Sequence, residues 1–362
     1  MSDCVSPLSQ SLGHRKFLPT TDSLFLLDYS GQLFLLRTVL MLEPNRGHMT
    51  WRPAYCHTLV CDSAKDMAAD PCSDVSGRQL VYVLVTRPPE VEGWGRGDCV
   101  EVYQQHNRHR VYKITFHPSL TFTQLCLMGS EARRSLLLLS DEGMMYSLQV
   151  DETQLDESHI YTLDLAMRRI SELLPRLPIR QIHSNRSSVL YLTEGGSVYL
   201  ELHTSEVCRQ LFGTDQGFHF RDPHVPLALP LPSKVVSVSL GPTHLSLLDV
   251  FGRLFMQGSN HYGQLGTGDK IDRGEPTQVA LSAQPVSVWC GLNHSLALLR
   301  GAGCPGAFHG CGCGGGGRLP GWPKGSNTFV CLQVQVPPCV RSFCSSYDFL
   351  FFLCCHDIAE EE

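Results

Sequence analysis

Short apolar runs separated by a polar turn recur along this chain. Leu24 to Leu27 is apolar, Asp28-Tyr-Ser-Gly31 turns, and Leu33 to Leu36 returns. The pattern comes back as Leu136 to Leu139 with the turn closing at Gly143, and as Val189 to Leu192 with the turn closing at Gly196. It comes back again as Leu245 to Leu248, where Asp249 opens the turn and Gly252 closes it. A further copy opens at His294, a degenerate one at Gln79, and a last one at Tyr347. A run of four to six apolar residues bounded by turn residues predicts a strand, and two such runs predict a hairpin. A turn opened by Asp and closed by Gly suits a type I turn followed by a residue at positive φ.

Seven starts, at 23, 79, 135, 188, 244, 294 and 347, give a mean spacing of about 54 residues. One hairpin is too small to be stable alone. A period near 50 suits one four-stranded blade of a β-propeller. The fold predicted is all-β, a propeller of seven blades with one incomplete, or of six. The boundaries expected are a lead-in over 1–20, the propeller over 21–355 and an acidic tail over 356–362. Alternating valines at Val236 and Val238, and at Val286 and Val288, predict half-buried strands. Apolar residues at helical spacing over 163–174, stopped by Pro175, predict one short helix between blades. Polar stretches at 44–54, 86–98 and 204–230 read as long loops, the natural contact surfaces of a rigid ring.

Two copies share finer detail. Gly241 and His244 recur as Gly291 and His294, 50 residues on. The phrase Gly258-Ser-Asn260-His-Tyr-Gly263-Gln264-Leu265-Gly266-Thr-Gly268-Asp269 recurs in part as Gly312 to Gly317, followed by Arg318-Leu319-Pro320. This phrase resembles the regulator-of-chromosome-condensation repeat, whose members form seven-bladed propellers. Gln257 to Val279, Cys290 to Leu296 and Cys311 to Gly325 together resemble the propeller part of an F-box protein. The resemblance implies a non-catalytic adaptor that binds a protein substrate for a Skp–cullin–F-box ubiquitin ligase. A Skp-type adaptor and a cullin are expected only for a longer form, because no F-box-like helical module precedes the first hairpin. The alternatives are guanine-nucleotide exchange on a small GTPase, which some members of the repeat family perform, and a general scaffold. Gly241, His244, Gly252, Gly258, Asn260, Gly263, Gln264, Leu265, Gly266, Gly291, His294, Gly312 and Gly317 are expected to be structural, with His244 and His294 bonding a neighbouring blade.

Composition narrows the picture. The net charge is −6 across 362 residues, which leaves no broad basic face for a phosphate backbone, so nucleic acid is not an expected partner. No apolar run approaches the roughly 18 residues of a membrane helix. The start, Met1 to Ser6, has no basic-then-apolar leader, so the 16 cysteines are expected to be free thiols in the cytoplasm or nucleus. Without a leader, Arg96-Gly97-Asp98 and the glycosylation patterns at Asn185 and Asn293 read as ordinary chain.

No cofactor is expected. Gly312-x-Gly314-x-x-Gly317 has the spacing of a dinucleotide fingerprint, but Leu319-Pro320 follows it where a helix would have to start. Cys304, His309, Cys311 and Cys313 could offer four zinc ligands, yet Cys311 and Cys313 fall on one face of a strand and no second ligand pair is nearby. No nucleophile elbow or paired-carboxylate motif is present, so no catalytic residue is predicted.

Overall fold

The computed structural model describes residues 14–19, 24–28, 30–45, 48–69, 80–86, 97–104, 110–116, 120–130, 132–154, 160–162, 166–167, 178–214, 226–300, 308–334, 340–345 and 350–354. Among them, strands form seven sheets in chain order. The first sheet takes His14–Pro19, Leu24–Asp28, Leu33–Asn45 and His48–Cys61. The second takes Ala64–Ala69, Leu80–Thr86, Asp98–Gln104 and Arg110–Thr115, and Ile160–Thr162 runs parallel to its outer strand. The third takes Phe122–Ser130, Arg133–Ser140, Met145–Val150 and Ala166–Met167. The fourth takes Ile179–Ser184, Ser188–Thr193, Val198–Leu202 and Leu227–Ala228. The fifth takes Val235–Leu240, His244–Asp249, Leu254–Gly258 and Arg273–Val279. The sixth takes Pro285–Cys290, His294–Leu299, Phe308–Gly312 and Ser326–Cys331, and the seventh Val340–Ser345 and Leu350–Cys354.

The first strand of each sheet lies beside the first strand of the next, and the seventh sheet's first strand returns to His14–Pro19. These strands therefore form the inner ring, and the sheets radiate from it. Six of the seven hairpins read from the apolar runs are present as the second and third strands of their sheets; the seventh copy supplies Leu350–Cys354, paired with Val340–Ser345.

The second strands explain why those runs are continuously apolar. Val81, Val83 and Val85 pack toward the first sheet, while Leu80, Tyr82 and Leu84 pack toward the third. Leu136 and Leu138 face the second sheet, and Leu137 and Leu139 face the fourth. Successive side chains of a strand point to opposite faces, so a strand sandwiched between two neighbours needs apolar residues at every position. The core is a series of such intersheet layers.

Four expectations change. The stretch 44–54 is a pair of strands, Leu33–Asn45 and His48–Cys61, because the cross-strand backbone bonds continue from Leu33 to Asn45. Within 163–174, Ala166–Met167 is a strand, held by pairing with Tyr146 and Ser147; the remainder lies outside the described residues. The stretch 204–230 contains a helix, α1 (Ser205–Phe212). Thr204 caps it by accepting the Val207 N–H, and Gly213, at φ 70°, ends it. Its apolar face, Val207, Cys208 and Leu211, joins the layer between the fourth and fifth sheets. His14–Pro19, within the lead-in, is the first strand of the first sheet. The loop 86–98 lies mostly outside the described residues, as does the acidic tail. No helix among the described residues is long and apolar enough to cross a membrane.

Two-sided burial has a direct test. Leu137→Ala and Leu138→Ala, on opposite faces of one strand and both fully buried, should each lower unfolding free energy by about 2–5 kcal/mol in denaturant titrations. A strand with one wet face would make one of the two nearly neutral.

Candidate protein-binding face

Every first strand opens with the same irregularity. One extra residue sits between its first two pairings with the second strand. The extra residues are Arg15, Lys65, Thr123, Arg180, Val236, Val286 and Arg341. A β-bulge adds one residue without a partner and shifts the in–out phase of the strand. The simple alternation expected for Val236 and Val238, and for Val286 and Val288, is corrected accordingly. Val236 is 40% exposed and Val286 is 48% exposed, while Val238 and Val288 are buried.

The bulged residues and the hairpin turns share one end of the sheets, because the start of each first strand pairs with the end of the second, as Val235 does with Asp249. The turns there repeat one device. Asp28 Oδ1 accepts from Gln32 N, Ser140 Oγ from Met144 N, Thr193 Oγ1 from Ser197 N and Asp249 Oδ1 from Arg253 N. Burial opposes the charge of Asp249, but bonds from the Ser233 hydroxyl and from Arg253 outweigh it, and its carboxyl lies below the ordinary carboxylate range. The turn glycine then contacts the next sheet. The carbonyls of Gly31, Gly143 and Gly196 accept the N–H groups of Ala64, Ile179 and Val235.

This end exposes apolar side chains on the fifth and sixth sheets: Val236, Val286, Val250 and Phe251, the last 69% exposed. The Arg253 guanidinium covers Phe251, 5.1 Å from the ring centroid. Next to the patch, Arg180 Nη2 donates to Val236 O, tying the fourth sheet to the fifth. Lys65 Nζ donates to Phe122 O and to Asp98 Oδ2 in the same manner, tying the second sheet to the third.

Deeper in the ring, polar side chains follow the bulges. Lys16 Nζ meets Asp66 Oδ1 at 2.5 Å and donates to Met67 O at 2.8 Å. Asp66 Oδ2 accepts from Leu125 N, and Gln124 Oε1 accepts from Ile182 N. Each of these bonds crosses from one sheet to the next. Two potential reactive groups there are quiet. Burial pushes the Cys126 thiol up to about 11, and burial, with Lys16 nearby, lowers His183 to about 4. A thiol at that value is protonated at neutral pH and is a poor nucleophile.

The repeat-motif residues other than Gly252 lie at the opposite end or along the strands. Gly241 N donates to His244 O, and a Cβ on Gly241 would stand 2.8 Å from Gly291 O of the next sheet. Ser295 Oγ donates to Gln264 O at 2.7 Å, so His244 Nε2, 2.9 Å away, donates to Ser295. His244 is thereby bonded to the neighbouring sheet. His294 lies against the Trp289 ring, and Gly291 beside it leaves room for that imidazole. Gly252 closes the turn opened by Asp249; Gly258 and Gly312 pair with His244 and His294.

Asn260 is fully buried and organises the signature loop. Its Nδ2 faces Thr267 Oγ1, Asp269 O and Ile271 O, and its Oδ1 accepts from Leu265 N. Gln264 Oε1 accepts from Tyr262 N, Leu265 is buried, and Gly266 N donates to Gly263 O. Asp269 is held below the ordinary range by the Ile271 N–H and by Arg273. The loop then clasps the sixth sheet: Gly268 N donates to Asn327 O, and Asn327 Nδ2 donates to Gly268 O. Gly317 ends the short turn over 315–317. Cys311 is buried with its Sγ on Gln264 O, Cys313 faces Arg318, and Cys304 lies outside the described residues. Among the described residues, no group of three or more His, Cys, Asp or Glu is placed to hold a metal, and Cys61, Cys99, Cys126, Cys208, Cys290, Cys311, Cys313 and Cys331 are free thiols.

The sequence reading missed the bulges, because no particular residue type occupies them. It also missed α1, for which Thr204 and Gly213 were the available signal.

Comparison with known proteins agrees with the geometry. The model for the regulator of chromosome condensation (RCC1) repeat matches residues 252–298. The chain is 51% identical to human F-box only protein 24 over 364 residues, which is 99% of this chain and 62% of that protein. It is 48% identical to the mouse F-box only protein 24 over 386 residues, covering 99% and 65%. The chain thus spans less than two thirds of the length of these relatives. Among solved structures, yeast RCC1 (Prp20) bound to Kap60 superposes with a TM-score of 0.51 at 15% identity, covering 89% of this chain and 75% of that one. The fold is an all-β propeller of the RCC1 type.

Two measurements probe this framework. Gly263 has φ 81°, and a Cβ there would stand 2.6 Å from Asn327 Cα. Gly263→Val should therefore cost about 2 kcal/mol or more, read as a clear drop in melting temperature; an unchanged value would contradict the clasp. Burial lowers His244 to about 3, and lowers His183 and His294 to about 4, against 6.5 for the free side chain. Between pH 6.5 and about 4 the unfolded chain binds protons that the fold refuses, so stability is full above that window and falls as pH drops through it. The slope should reach about 1.4 kcal/mol per pH unit for each histidine, and His244→Gln should flatten it in urea titrations at pH 7 and pH 5.

Proposed function

We propose that this chain, 51% identical to human F-box only protein 24 and matched by the RCC1 repeat over residues 252–298, is the client-holding part of a Skp–cullin–F-box ubiquitin ligase. It binds the protein to be modified and performs no bond chemistry itself. A Skp-type adaptor and the cullin would be engaged through an F-box in a longer form.

The observation that carries this reading is the exposed apolar patch of Val236, Val250, Phe251 and Val286 at the bulged end of a rigid ring. Such patches, rimmed by polar residues, mark surfaces that other proteins cover. The backbone beneath the patch is fixed by Val250 N donating to Lys234 O within the fifth sheet and by Arg180 of the fourth sheet donating to Val236 O. A pre-organised surface binds without first having to order itself.

The test is affinity capture by the full chain and by a Phe251→Asp/Val286→Asp variant, with the half-life of captured proteins then followed in cells under cullin inhibition. These side chains are exposed, so the variant should keep its melting temperature. Captured proteins should fall at least five-fold with the variant and turn over more slowly under inhibition. Equal capture, or turnover that ignores the inhibitor, would overturn the proposal.

A further inference from the structure

A cleft of about 500 Å³ opens between the third and fourth sheets at the bulged end. Its rim carries three carboxylates from two turns, Asp141 and Glu142 on one side and Glu194 on the other. Pro178 is exposed on its wall, and Leu139 and Ile179 close it from beneath, both buried in the layer between these sheets. The lining holds one cation, Arg180, and its Nη2 donates to Val236 O of the fifth sheet. The cleft is thus acidic by two charges at its mouth, with Pro178 as apolar surface on its wall. Asp141 is fixed in place, its Oδ2 accepting the Thr121 hydroxyl at 2.6 Å.

We infer that this cleft receives a lysine or arginine side chain from an extended segment of the bound client. The chemistry matches at both ends. The methylene stem of such a side chain covers apolar surface while its charged head stays at the polar rim. Carboxylates supply charge-assisted acceptors for an ammonium or guanidinium group. Neutral or acidic side chains would leave the rim carboxylates unanswered, so the cleft also discriminates. The inference deepens the client-binding reading and rests on it: the apolar patch supplies contact area, and the cleft supplies selection by charge.

The probes are fluorescein-labelled heptapeptides Gly-Ser-Leu-X-Leu-Ser-Gly, with X as Arg, Lys, norleucine or Glu. Their binding to the full 362-residue chain is followed by anisotropy at 50 and 300 mM salt. The Arg and Lys peptides should bind at least five-fold more tightly than the norleucine peptide at low salt, and the margin should shrink at high salt. Glu142→Gln/Glu194→Gln replaces two exposed carboxylates, should leave the melting temperature unchanged, and should reduce the margin below two-fold. Equal binding of Arg, Lys and norleucine peptides, or a margin that survives the double variant, would overturn the cleft assignment. Those results with client capture intact would leave the ligase reading standing. A charge-selective cleft with turnover independent of the ligase would remove that reading and leave the cleft.

Discussion

The structure depends on burying one strand per sheet on both of its faces. In each of the central sheets the second strand lies between two neighbouring sheets, and its apolar side chains enter the intersheet layers. Among the described residues, the second to fifth sheets each own half of two layers. Stability is therefore collective, and the orientation of each sheet is set by its neighbours. Such a ring suits a protein that presents a surface, because the surface inherits its geometry from packing throughout the molecule.

Polar groups reinforce the same arrangement instead of being free for reaction. Asp66 and Gln124 accept backbone N–H groups from the next sheet, His244 reaches Ser295, and Ser239 accepts from Cys290 N. The buried pair Arg134 and Glu152, 2.8 Å apart, stitches the end of the third sheet. Groups tied in this way carry structural bonds, and their burial shifts Cys126, Cys290, His183 and His244 toward their neutral forms.

Much of the fold was legible from residue order alone. The hairpins were visible because double-sided burial demands unbroken apolar runs, and because a left-handed residue at Gly31, Gly143, Gly196 or Gly252 marks each turn. The signature loop was visible because Asn260 and its glycines have no substitutes in that geometry. What stayed hidden has physical causes. A bulge advances the phase of a strand by one residue, and Lys65, Thr123, Arg180 and Val236 show that any side chain serves, so spacing rules put Val236 on the wrong face. Residues 163–174 have helical spacing, but Ala166–Met167 finds an unpaired strand edge along Met145–Val150, and that long-range pairing overrides the local pattern. The helix α1 is eight residues long, and its buried stripe of Val207, Cys208 and Leu211 is too short to stand out from a polar stretch.

The bulges join architecture to recognition. Without them, the start of each inner strand would continue the regular alternation, and each of its residues would answer to a neighbouring sheet. One extra residue per strand frees a side chain at the same height in successive sheets, so substitution there changes the surface without disturbing the layers. Variation at these positions already differs around the ring: Lys65 and Arg180 bridge to the next sheet, whereas Val236 and Val286 stay exposed. The turns add a second, independent set, with acidic residues at Asp141, Glu142 and Glu194 and an aromatic one at Phe251. An apolar sector and an acidic cleft thus stand side by side on one rigid end, and a partner that fits both must match the spacing set by the intersheet layers.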